Sequence, residues 1–198
     1  MDRECGQEQM DSGQQCHWSC HEWSVGSLGK DGGYATVENV YVSNCSFFGT
    51  TNGLRIKTWQ NGYGFVRNVT YNNIRLQNTR NPIIIDQNYR DLVEDFPIAK
   101  LYEMMMQGKG IEIIGVTYKD VSGTSATSVA INLGCNSSEG CSNIIMDRVN
   151  LTSVSPSEKV IVLCSNVKGQ ETTVSPKVSC LTEKLPSTLI GSHILFSH

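Results

Sequence analysis

The sequence predicts an all-β fold of the solenoid class, and three observations carry that prediction. Four segments, VENVYVSNCSF (37–47), VRNVTYNNIRL (66–76), IIGVTYKDVSG (113–123) and SNIIMDRVNLT (142–152), each place an alternating apolar core ahead of a polar turn. A second short apolar strand follows each one: LRIK from Leu54, IIID from Ile83, VAIN from Val129 and VIVL from Val160. The equivalent anchors Val40, Val69, Val116 and Ile144 stand 29, 47 and 28 residues apart. Alternation is the signature of strands, and short strands returning at a near-constant interval with little helical periodicity suit coils stacked on a shared apolar core. An ordinary β-sandwich with coincidental spacing is the other reading of the same strands.

In chain order, residues 1–20 (MDRECGQEQMDSGQQCHWSC) are polar and lack the apolar region of a signal peptide. Cys16, His17, Cys20 and His21 lack a second, distant ligand pair for zinc, and their spacing is one residue too long for c-type haem attachment, so no metal is expected. GSLGKDGG reads as turns between strands. Asn39, Asn68 and Asn143 sit just before their anchors, where stacked amides form a ladder at a bend.

The first LRIK strand turns Arg55 and Lys57 to one face and Leu54 and Ile56 to the other. A solvated strand face is one explanation for the two cations. Stacked coils supply another for Lys57, because Ile84 and Asp86 fall in the columns of Arg55 and Lys57, making Lys57 and Asp86 a ladder pair. Arg55 has no such partner in the sequence. The long interval of 47 contains residues 90–109, where Ile98, Leu101, Tyr102 and Met105 follow helical spacing, Pro97 suits a first turn and Gly108 a stop. A short inserted amphipathic helix is expected near 97–107.

With 198 residues, 39% hydrophobic and 18% charged, the chain has globular composition. A net charge of −3 argues against nucleic acid as a partner, since phosphate binding wants a broad basic stripe. No run reaches the length of a membrane helix, so no membrane partner is expected. Eight cysteines, and N-x-S/T sequons at Asn44, Asn68, Asn136 and Asn150, fit an oxidising, secretory route.

The chain resembles the plant polygalacturonases, inverting glycoside hydrolases of pectin built on a right-handed parallel β-helix. The stretches that carry the resemblance are HEWSVGSLGK (21–30), VENVYVSNCSFFGTTNGLRIKTWQ (37–60), NPIIIDQNY (81–89), VTYKDVSGTSAT (116–127) and CSNIIMDRVNLT (141–152). It implies a secreted, monomeric, cofactor-independent enzyme of the cell wall acting on polygalacturonate, with the β-helix over 21–180. Arg55, Lys57 and Tyr89 look like ligands of galacturonate, and His21 matches the histidine beside the catalytic carboxylates. Disulfides joining Cys135 to Cys141 and Cys164 to Cys180 also match the family.

There are departures from the pattern as well. An inverting hydrolase needs a carboxyl acid and a water-activating carboxylate about 6.5–9.5 Å apart. The family carries these aspartates in NTD and GDD motifs on coils before the histidine, and this sequence has neither motif. The family's histidine loop, CGPGHGIS, is here CHWSCHEWS, and Glu22 beside His21 points to the opposite face of a strand. Residues 1–20, 90–109 and 181–198 stand outside the family pattern. The expectation is an N-terminally truncated or imperfect gene model, with a catalytically inactive fragment that at most binds pectin as the alternative to an active enzyme.

Overall fold

The computed structural model describes residues 23–89, 110–135 and 140–181. They form β1 (Trp23–Leu28), β2 (Tyr34–Phe48), β3 (Asn52–Trp59), β4 (Tyr63–Thr79), β5 (Asn81–Tyr89), β6 (Gly110–Ser125), β7 (Val129–Gly134), β8 (Cys141–Ser153), β9 (Ile161–Ser165) and β10 (Val167–Ser175), with one short 3₁₀ turn at Lys30–Gly32. Strands of odd number make one five-stranded sheet in the order β1-β3-β5-β7-β9, and strands of even number make a second in the order β10-β8-β6-β4-β2. All pairings are parallel, and each strand pairs with the strand two along the chain. That is the solenoid the repeat predicts, each coil giving one short and one long strand.

The apolar columns explain why the coils stack. Val40, Val69, Val116 and Ile144 are in mutual register, as the interval count requires. Beside them run the buried columns Val42, Tyr71, Tyr118 and Met146, then Cys45, Ile74, Val121 and Val149. From the other sheet, Leu54, Ile83 and Ile131 and then Ile56, Ile85 and Leu133 close the core. Tyr71 and Tyr118 stack with ring centroids 5.2 Å apart. Burial pushes both phenols above their ordinary pKa, Tyr71 further raised by the neighbouring Tyr118.

Each long strand bends at residues with left-handed backbone. One row is Asn39, Asn68, Gly115 and Asn143, with φ of 58°, 55°, 69° and 53°. Asn68 Nδ2 donates to Asn39 Oδ1 at 3.2 Å, the amide ladder the sequence suggests. A second row, Asn44, Asn73, Asp120, Arg148 and Thr173, repeats the same backbone with changing residue types.

Disulfides join Cys135 to Cys141, between the end of β7 and the start of β8, and Cys164 of β9 to Cys180. The second holds the segment after β10 against the last coil, where Val178 and Leu181 are buried and the Val178 N–H donates to Glu171 Oε2 at 2.7 Å. His21, the segment 1–20, the helix expected near 97–107 and the tail beyond Leu181 lie outside the described residues.

Candidate functional site

The site is built on β3 and its neighbour β5. Along β3, Leu54, Ile56 and Thr58 are buried, so Arg55, Lys57 and Trp59 are the outward set. On β5, Ile83, Ile85 and Gln87 point in while Ile84 and Asp86 point out. Register sets Arg55 beside Ile84 and Lys57 beside Asp86, the columns expected from the sequence.

Arg55 does not lack a partner, contrary to the sequence reading. Its Nη2 reaches Asp86 Oδ2 at 3.5 Å, with side-chain exposures of 15% and 28%. The reason is reach: a residue two along the neighbouring strand is roughly 7–8 Å away, within range of a guanidinium but invisible to a count of columns. Asp86 Oδ1 accepts from the Asn88 N–H at 3.1 Å, so both carboxylate oxygens are engaged.

Past Asp86 the register slips by one residue. Trp59 therefore lies opposite Tyr89 instead of Asn88, the partner that a constant interval would supply. This β-bulge brings the Tyr89 ring onto the cationic face. Lys57 Nζ sits 3.7 Å from that ring's centroid and Arg55 Cζ 6.0 Å from it, while Trp59 meets it edge-on at 5.1 Å. Ring and cations attract through the ring quadrupole, which fixes two long, flexible side chains in place.

Ser24 of β1 continues the Arg55 column, and its buried hydroxyl has no hydrogen-bond partner among the described residues. On the far side, Gly134 of β7 stands next to Asp86 and adds no side chain to that column. The structure thus brings Arg55, Lys57 and Tyr89 onto one surface, and His21 falls outside the described residues. Trp59 is a member that sequence reasoning passed over, although alternation from Arg55 through Lys57 was enough to find it.

Guanidinium, ammonium and two aromatic rings on one sheet of a parallel β-solenoid make a face suited to a ligand with carboxylates and apolar ring faces. The family model for glycosyl hydrolases family 28 matches residues 7–180, and the chain belongs to that family. Among its relatives, a probable polygalacturonase of Arabidopsis thaliana is 39% identical over 163 residues, covering 81% of this chain and 34% of the relative. Polygalacturonase QRT2 of the same plant is 39% identical over 148 residues, covering 75% and 32%. Polygalacturonase-2 of Solanum lycopersicum is 41% identical over 149 residues, covering 74% and 30%. The chain spans about a third of the length of these curated relatives.

Proposed function

We propose that this chain supplies the substrate-gripping coils of a polygalacturonase, an inverting hydrolase of α-1,4-galacturonan in the plant cell wall. The observation that carries the reading is the cluster of Arg55, Lys57 and Tyr89 on one sheet face of a family 28 solenoid. Arg55 grips a galacturonate carboxylate through parallel N–H donors, Lys57 adds a compact positive charge, and Tyr89 offers its ring to the sugar. Asp86 orients Arg55, one oxygen facing the guanidinium and the other accepting from the Asn88 N–H.

His21 acts beside the scissile bond, tuning the carboxylates that protonate the leaving oxygen and activate water. In the family those carboxylates belong to coils before this histidine, so the binding half of the reaction is the part assigned to these residues. The partner is polygalacturonate, and the protein works as a secreted monomer. Two disulfides among the described residues support an oxidising compartment.

The test is affinity electrophoresis of the 198-residue chain through de-esterified polygalacturonate, with reducing-end release measured in parallel. Expected is a salt-sensitive retardation that falls when the polymer is methyl-esterified, because esterification removes the charge that Arg55 and Lys57 read. Equal mobility in the presence and absence of polymer overturns the reading.

A further inference from the structure

Where β3 leaves the sheet, the corner sets a third cation against the Trp59 ring. Lys30 stands on the 3₁₀ turn after Gly29, and its Nζ lies 5.4 Å from the Trp59 ring centroid. The turn is held rigidly. Gly29, with φ of 75°, packs against Gly62 of the next coil so tightly that a Cβ on either would come within 2.6 Å of the other's Cα. The Gly33 N–H donates to Lys30 O at 2.9 Å, and the Tyr63 N–H donates to Gly33 O at 3.1 Å, tying the two corners together. Only glycines permit this approach, and the approach is what brings Lys30 over the ring.

The result is a continuous row. Lys57 lies on Tyr89, Tyr89 meets Trp59, and Trp59 carries Lys30. A ring face holds an ammonium on one side while its N–H donors spread in three directions, so the contact with Trp59 positions Lys30 and still suits it to an anion. A row of cations spaced by aromatic surfaces matches a polymer that repeats a carboxylate on every sugar.

We propose that Lys30 and Trp59 form an outlying subsite for a second uronate carboxylate, separate from the one gripped by Arg55 and Lys57. The protein thereby favours runs of unesterified sugar over short ligands. The proposal rests on the galacturonan reading above, and its test separates the two. The 198-residue chain is titrated by NMR, which reads millimolar affinities, with unesterified digalacturonate and hexagalacturonate.

Lys30→Ala is expected to weaken the hexamer about three- to fivefold, the scale of one exposed charged contact, and to leave the dimer unchanged. Lys30→Arg restores the hexamer, whereas Arg55→Ala weakens both ligands. Lys30 is exposed on its turn, so folding of the variants, checked by thermal melting, stays at the wild-type level. An unchanged hexamer affinity in Lys30→Ala, or an equal loss for dimer and hexamer, overturns the subsite and leaves the galacturonan reading standing. Failure of the wild-type chain to bind either ligand overturns both.

Discussion

The outward faces of the two sheets obey different rules. On the long-strand sheet, four polar pairs run straight up the stack. Glu38 meets Arg67 at 2.9 Å, Asp120 meets Arg148 at 2.6 Å, Asn39 meets Asn68 and Asn44 meets Asn73, each residue with its own counterpart on the neighbouring coil. On the short-strand sheet Asn81 still donates to its column partner Asn52, but the two cations of the site also reach outside their columns. Arg55 passes its column neighbour Ile84 to reach Asp86, and Lys57 lies on Tyr89, a ring delivered by a slip in register. Column pairing reinforces stacking and serves the fold. Under the proposed function, the contacts that Arg55 and Lys57 make outside their columns hold them ready for a ligand instead.

The largest effect should follow from removing one arginine from each face in turn. Arg55→Ala is expected to weaken polygalacturonate binding about ten- to a hundredfold, the cost of a charge-assisted hydrogen-bonded contact. Arg148→Asn, which keeps a residue tolerant of left-handed backbone, should leave binding unchanged. Affinity electrophoresis of both variants at matched ionic strength checks this. Equal losses would reduce the contrast between faces to net charge.

Much of the fold was legible because its inward columns repeat both spacing and chemistry. Val40, Val69, Val116 and Ile144 are apolar at every coil, so counting found their register, and the same count aligned Arg55 with Ile84 and Lys57 with Asp86. The second row of bends escaped notice because only its backbone repeats. Asn44, Asn73, Asp120, Arg148 and Thr173 share a left-handed φ and no common side-chain type. In the site, a constant interval would lay Trp59 over Asn88, and no local signal marks the bulge that substitutes Tyr89. The diagonal reach of Arg55 was hidden for a similar reason, since it depends on side-chain length and not on interval.

The bends of the column-paired face offer the next test. Asn68→Ala should lower stability by about 1–2 kcal/mol, because alanine is strained in left-handed backbone and the amide ladder is lost with it. Asn68→Gly should cost no more than about 1 kcal/mol, the ladder bond alone, as Gly115 already fills the same row in the next coil. Urea denaturation ranks the two. Glycine costing as much as alanine would show that the amide, and not the backbone, maintains the bend.

The smallest effect is electrostatic and comes from the same face. The hydrogen bond from Arg148 holds the Asp120 carboxyl below its ordinary value of 3.8; desolvation opposes the shift, and the charges of Arg148 and Lys119 add to it. A carboxylate whose pKa is depressed on folding contributes its full stability above the unfolded value, and loses it as pH falls through the folded one. Asp120→Asn keeps the shape and the tolerance of left-handed backbone while removing the charge. Its urea midpoint should lie slightly below wild type near about pH 6, and the two should converge as the carboxyl titrates below the ordinary range. Molar salt at neutral pH should close the same gap, since the pair is exposed and screened. A gap that survived both acid and salt would mean that Asp120 acts through hydrogen-bond geometry alone, and the column pairs would then reinforce the stack by shape, as the asparagine ladder does, without drawing on charge.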